Sequence, residues 1–487
     1  MMFDLAIVGG DVALSGRDPE RVTIAVAHGK IAALLSPAET VEAKRTLDVS
    51  GLLVLPGVLD VHLHLGHGKD IARPREARDA AVETAAAATG GVTTFIPYLM
   101  ATEPFEQIFE DVRKVTEAGA RIDFGYHFII STEEQLAGVP SYAADYGAPS
   151  FKIFMNNRGG EGKRLGLPDI DDGFLFRLCE LAARNGGMVC PHPENIEVAW
   201  QLRKRVMQAD PKGEGGLASW NATRPPFVEA DAVQRAGLFA RHTDSPLYIV
   251  HTSSAEALDA ARIARACGTR VYIETCPHYL THDIDWTGRE VGKINPPLRE
   301  ASDREALWQG IASGLIDTVA TDHVHRDLSS KQGDIWAASP GCPGLETLLP
   351  IMLSEGFHKR QIPIRRLVEL LCENPARIMG LGDRKGLISP GYDADFAVLD
   401  IEATSAVSNA NVVSSAGYSI YDGWTLKGKV VHTLVRGELV FENGALVEAA
   451  VGHGRYLHRQ LPTCASHAGA MKQNSAVGSR FDAKEIK

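Results

Sequence analysis

Two rhythms of apolar and polar residues alternate along the chain. Near the N-terminus short apolar runs cover residues 5–8, 22–27, 30–34 and 47–55, with His28-Gly29 as a tight turn between the second and third, and they predict a small β unit. Between residues 393 and 441 the runs DADFAVLD, KVVHTLVRG and ELVFENG, separated by Gly and Asp/Asn turns, predict another. The two chain ends are therefore expected to join in one β-sandwich.

The middle of the chain reads differently. Short apolar runs alternate there with helix-length amphipathic stretches, the pattern of βα units on a parallel sheet. Strands are predicted over 58–65, 92–99, 122–130, 150–155, 188–192, 247–252, 270–275 and 317–321. Eight is the number that closes a (β/α)8 TIM barrel. Helices are expected in the gaps: over 75–88, stopped by Gly90-Gly91; from Ser131, whose spacing to Glu134 matches a capping box; and, beyond the eighth strand, over 364–373. The expected fold is α/β, with a TIM-barrel catalytic domain over 57–387, a smaller β-sandwich domain from 1–56 plus 388–450, and a tail over 451–487. The tail ends ASHAGAMKQNSAVGSRFDAKEIK, has few large apolar residues and no period, and is expected to be mobile or draped on a partner.

Composition narrows the function. With 487 residues, 45% of them hydrophobic, the chain can bury a large core. A net charge of −11 without a Lys/Arg block leaves nothing on which nucleic-acid binding could rest, so a small-molecule partner is expected. No apolar run reaches the roughly 18 residues of a membrane span. The opening MMFDLAIVGG has no basic region and carries Asp4 early, so no export is indicated and a cytoplasmic location is expected. Cys179, Cys190, Cys267, Cys276, Cys342, Cys372 and Cys464 are widely spaced and never form CxxC, which reads as reduced thiols.

Polar residues at the predicted strand ends stand out, because a barrel of this kind builds its active site there. The first strand ends Asp60-Val-His62-Leu-His64, and strand alternation puts both imidazoles on one face, a natural metal pincer. HxH is short and common, so alone it equally fits two rim histidines. His192 closes MVCPH and His251 closes LYIVH; either, taken singly, reads as a hydrogen-bonded structural residue. Four histidines at matching positions shift the balance toward metal binding. Asp322, ending DTVATD, adds an oxygen ligand or proton acceptor. Lys152, inside Ser-Phe-Lys-Ile-Phe, is costly to bury unpaired. It reads either as the partner of a neighbouring acid or as part of a two-cation site.

Taken together, PGVLDVHLHLG, SFKIFM, PHPEN, YIVHTSS, ETCPHYL, KINPPLRE, ATDHVHR and GCPGLETLLP resemble the cyclic amidohydrolases, the group of hydantoinases, dihydropyrimidinases, allantoinases and dihydroorotases. The resemblance runs in order from about residue 4 to residue 459 and takes in GLISPGYDADFAVLD and the hydantoinase-like GHGRYLHR. It implies one divalent cation, with zinc the expected ion, held by His62, His64, Asp322 and a carbamate formed from carbon dioxide on Lys152 (N6-carboxylysine). A second is implied on the same carbamate, His192 and His251. It further implies attack on a ring carbonyl by a metal-bridging hydroxide, with Asp322 passing the proton to the departing nitrogen, and a homodimer or homotetramer with the tail crossing between subunits.

The substrate-facing positions depart from each subgroup. Hydantoinases and dihydropyrimidinases resemble one another in a Tyr five residues after the modified Lys; Asn157 stands there, an amide that can still donate a hydrogen bond. The Arg that dihydroorotases share soon after HxH is replaced by Leu65-Gly66. Asn295 is dihydroorotase-like, and Pro340 keeps a backbone carbonyl but no N–H where hydantoinases have Asn. Residues 156–164, Gly-rich and charged, fit either a flexible lid or an ordinary exposed loop. The expected function is hydrolysis of a cyclic amide or ureide, hydantoinase- or dihydropyrimidinase-like. An allantoinase- or dihydroorotase-like hydrolase is the alternative, and a non-catalytic, dihydropyrimidinase-related scaffold the reading from another class.

Overall fold

The computed structural model describes residues 2–462. Eight strand positions run parallel in a ring: Val58–Leu63, Val92–Leu99, the pair Asp123–Phe124 and His127–Ile129, Ser150–Phe154, Met188–His192, Leu247–Ile249, Val271–Thr275 and Thr318–Val319. A parallel bridge between Leu63 and His323 joins the last position to the first. Every residue of Val58–Leu63 and of Val92–Leu99 is buried, as expected where helices cover one face of a strand and the barrel interior the other. This is a TIM barrel.

Both chain ends build the smaller domain. Phe3–Val8 lies antiparallel to Thr23–Ala27 and parallel to Ala43–Asp48, and Lys30–Leu35 folds back on Thr23–Ala27 through the His28-Gly29 turn. In the neighbouring seven-stranded sheet Leu53–Pro56 pairs with Phe396–Ala406, which pairs with Thr425–Val435. Leu5, Ile7, Ile24 and Val26 of the first sheet pack with Val54, Phe396, Val398 and Leu434 of the second.

A buried ionic cluster ties this domain to the barrel. Lys385 Nζ lies 2.6 Å from Asp123 and 2.5 Å from Asp395, and Arg436 also pairs with Asp123. Asp123, Asp393 and Asp395 stand close enough to hold a metal ion, but these two cations already occupy their oxygens. Past Val451 the chain docks on the barrel: the Arg459 guanidinium is fully buried and donates to the carbonyls of Tyr126 and Met379 and to Ser150 Oγ. The expected tail thus packs against the barrel through residue 459, and residues 463–487 of it lie outside the described residues.

Local boundaries differ from the sequence reading in several places; the strands expected over 247–252 and 317–321, for instance, span Leu247–Ile249 and Thr318–Val319. The strand expected over 122–130 is broken at 125–126, where Arg459 crosses; a Cβ on Gly125 would sit 3.1 Å from its Nε. The capping box belongs to Thr132 and Gln135, one residue beyond the expected pair, because Gln135 Oε1 reaches back to the Thr132 N–H while Thr132 Oγ1 accepts from Gln135. The helix expected over 364–373 begins at Ile364, widens into a π-helical turn at Glu369–Glu373 and continues to Ile378.

Candidate metal centre

The strand ends converge. His62 Nε2 lies 3.1 Å and His64 Nε2 3.7 Å from the same oxygen of Asp322, and ligand atoms of the three residues fall within 4.8 Å of one another. Lys152 Nζ stands 3.4 Å from His62 Nε2. The ring of His251 is 5.3 Å from that of His62 and 4.6 Å from that of His192. Side chains from five strand positions thus meet at one end of the barrel, and His64, Lys152, His192, His251 and Asp322 line a single cavity with His62 buried behind them. His251 and Asp322 both adopt positive φ, 40° and 47°, a conformation that non-glycine residues hold mainly where surroundings enforce it, often at functional sites.

Carboxylates fix the imidazoles from behind. Glu274 Oε1 lies 2.6 Å from His62 Nδ1 and also accepts the backbone N–H of His251 at 2.8 Å. That bond assigns the proton to Nδ1 and turns the lone pair of Nε2 toward Asp322 and Lys152. His192 is held by the other nitrogen: its Nε2 lies 2.7 Å from Glu194 Oε2, leaving Nδ1 as its lone-pair atom. Sequence reasoning missed both glutamates. Each carried a legible signal, since Glu274 is a lone acid near the end of an apolar strand and Glu194 follows His192 by two residues.

Electrostatics describe a site short of positive charge. Burial drives the His64 ring down to about 3 and lowers His192 and His251 too, in each case favouring the neutral imidazole. Burial opposes protonation of His62 as well, but the Glu274 and Asp322 carboxylates together outweigh it and the net shift is upward. Burial would raise Asp322; His62 reverses this and holds it well below the usual carboxylate range. Burial also lowers the Lys152 ammonium, which lies 1% exposed, 4.5 Å above the Tyr98 ring, with no carboxylate oxygen within ion-pair distance among the described residues.

These residues fit a pair of divalent cations. The donor set is imidazole and carboxylate, the Nδ1 of His251 is buried without a hydrogen-bond partner, and burial favours the uncharged amine of Lys152, the form that reacts with carbon dioxide.

The same cavity takes in the expected substrate-facing positions. Asn157, Asn295 and Pro340 line it together with Asn156, Glu161, Leu165 and Arg326. Asn295 Oδ1 is buried with no partner. The glycine-rich loop folds over the cavity, with a short 3-10 turn Glu161–Leu165 between Gly160 and Gly166. Gly66 approaches Asp70 so closely that a Cβ would lie 1.9 Å from its carbonyl oxygen, so no larger side chain fits there. A larger cleft of about 360 Å³, bordered by His323 and residues 405–414, brings no three ligating side chains together among the described residues.

The amidohydrolase family model matches residues 236–440. An L-hydantoinase of Paenarthrobacter aurescens is 33% identical over 475 residues, covering 94% of this chain and 99% of that protein. An allantoinase of Deinococcus radiodurans is 33% identical over 459 residues, covering 91% and 96%. Among solved structures, the L-hydantoinase (dihydropyrimidinase) from Arthrobacter aurescens superposes with a TM-score of 0.86 at 31% identity, covering 94% of this chain and all of that one. A D-hydantoinase superposes with a TM-score of 0.84 at 30% identity, covering 93% and 98%.

Proposed function

The chain belongs to the hydantoinase-like cyclic amidohydrolases, and on that premise we propose that it opens a cyclic amide or ureide ring with two divalent cations held by His62, His64, Lys152, His192, His251 and Asp322. It is a metal-dependent hydrolase of carbon–nitrogen bonds in cyclic amides. The observation that carries the residue assignment is the convergence of four imidazoles, one lysine and one aspartate on a single buried cavity. Zinc would suit this donor set, and a carbamate on Lys152 would add the anionic oxygens that two cations need. Such cations lower the pKa of water toward neutrality and polarise a carbonyl.

The chain's own groups do the rest. Asp322 takes the proton of the attacking water and returns it to the departing ring nitrogen, a carboxylate suited to the task because its neighbours keep it ionised. Glu274 and Glu194 keep His62 and His192 in fixed tautomers. Asn157 donates from its side-chain amide to the carbonyl oxygen, while Asn295 Oδ1 and the Pro340 carbonyl accept ring N–H groups. The loop carrying Glu161 and Leu165 covers the ring and excludes water.

A second reading keeps the chemistry and changes the ring. The allantoinase match at 33% identity favours allantoin, a hydantoin ring bearing a ureido group, as much as other hydantoins. Dihydroorotate is disfavoured, since the tight packing of Gly66 leaves no room for an arginine at that place. The same proposal includes a cytoplasmic homodimer or homotetramer, for which Phe176, Leu238 and Ile263, exposed on three neighbouring helices, offer an apolar contact face. The test is a ring-opening screen of zinc-loaded protein with hydantoin, dihydrouracil, allantoin, dihydroorotate, succinimide and lactams. Turnover of one of these classes is expected; protein that holds two cations and opens none would overturn the reading.

A further inference from the structure

Behind His192 a chain of charges leads out to the loop over the cavity. Glu194 Oε2, which holds His192 at 2.7 Å, belongs to a carboxylate only 1% exposed. Arg224, also 1% exposed, places its Nε 3.3 Å from the other oxygen, Glu194 Oε1, and one of its terminal nitrogens 3.2 Å from Glu161 Oε1. The Nε contact is an ion pair off the hydrogen-bonding angle, so the guanidinium is shared between two acids and saturates neither. Among the described residues these are the two carboxylates within ion-pair distance of Arg224, whose guanidinium also lies 4.7 Å from the Trp220 ring. Glu161 lies on the glycine-rich loop and lines the cavity. The loop also reaches Glu194 directly, through Asn156 Nδ2 at 3.5 Å.

We propose that Arg224 is a positioning residue for His192, acting through Glu194, and that Glu161 ties the loop over the cavity to the same guanidinium. The physical reason is charge balance in a dry place. Removing one partner of a buried ion pair leaves an uncompensated charge and frees the side chain that remains to move. An ionised Glu194 keeps the proton on His192 Nε2 and the lone pair on Nδ1. The planar fork of Arg224 is suited to serve two acids at once, which a lysine cannot copy. Glu161, hydrogen-bonded to a terminal nitrogen of Arg224, anchors the guanidinium beside Glu194, and losing that anchor loosens Arg224 from Glu194. Loop position and the basicity of one metal ligand are thereby linked.

The proposal rests on His192 being a metal ligand, so the experiment reads metal directly and does not depend on which ring is opened. Zinc affinity is measured by competition with a chromophoric chelator for the parent, Arg224→Met, Arg224→Lys and Glu161→Gln, alongside the melting temperature of each metal-free protein. In Arg224→Met the more weakly held cation loses about 10- to 100-fold in affinity, the usual effect of removing support behind a ligand, and the other cation keeps its own. Arg224→Lys falls in between, and Glu161→Gln loses several-fold with the parent's melting temperature. If Arg224→Met does not fold, the other two carry the test. Parent-like zinc affinity in both Arg224→Lys and Glu161→Gln would overturn the proposal, as would loss of both cations in proportion to lost stability. A parent that binds two zinc ions and opens no ring would refute the enzymatic reading while leaving this measurement intact.

Discussion

One carboxylate oxygen, Glu274 Oε1, sits 2.6 Å from His62 Nδ1 and accepts the backbone N–H of His251 as well, so a single buried acid fixes a side chain of the first barrel strand and the end of the sixth. Glu274→Gln keeps the size but halves the acceptor capacity and removes the charge. Zinc affinity or kcat/KM is expected to fall about 10- to 100-fold, read by metal analysis and steady-state kinetics; parent values for both would show that His62 needs no such support.

Lys152→Ala removes the group proposed to join the two halves of the site. Metal content and activity are expected to vanish together, and short carboxylic acids such as acetate or propionate are expected to restore part of both by supplying the missing bridge. Equal zinc in variant and parent would remove Lys152 from the centre.

Asn157→Ala tests the oxyanion role apart from metal binding. Loss of one well-placed donor costs about 100-fold in kcat or more, whereas zinc content is expected to stay at the parent level because Asn157 is assigned to the ring and not to a cation. A drop confined to KM would mean that Asn157 binds the ground state only.

The ionic cluster between barrel and β-sandwich sets a pH dependence. Burial works against the Asp123 carboxylate, but Lys385 and Arg436 outweigh it and hold it at about 2, below the ordinary 3.8. Its contribution to stability is therefore full above the ordinary value and lost as pH falls from there toward 2. Lys385 is raised above its usual range by Asp395 and Asp123 against burial, so its contribution is full below that range and fades only in strong alkali. Lys385→Met is expected to cost about 3–5 kcal/mol at pH 7 by leaving buried carboxylates unpaired. The deficit should shrink as acid protonates them, read by urea unfolding at pH 7 and pH 4. A deficit that grows in acid would contradict this account of the cluster.

Much of this was legible before any coordinates. The apolar runs at 58–65, 92–99 and 188–192 marked strands because both faces of a barrel strand are buried, and the histidines near the ends of the first and third stood out against them. What remained hidden depended on distance along the chain. Asp123, Lys385 and Arg436 look like ordinary charges until the fold brings them together, 262 residues separating the first two. The break at 125–126 could not be read because its cause, Arg459, comes from the far end of the sequence. Glu194 and Glu274 were passed over because a supporting acid has no fixed spacing from the imidazole it holds: one lies 2 residues from its partner, the other 212.

The central claim is that six side chains from distant parts of the sequence hold two cations with a modified lysine between them. Anomalous X-ray diffraction at the zinc edge, from crystals grown with zinc and bicarbonate, tests it most directly. The account predicts two peaks, one beside His62, His64 and Asp322 and one beside His192 and His251, with carboxylate density on Lys152 Nζ reaching both. A single peak, or two peaks with an unmodified Lys152 amine, would contradict it.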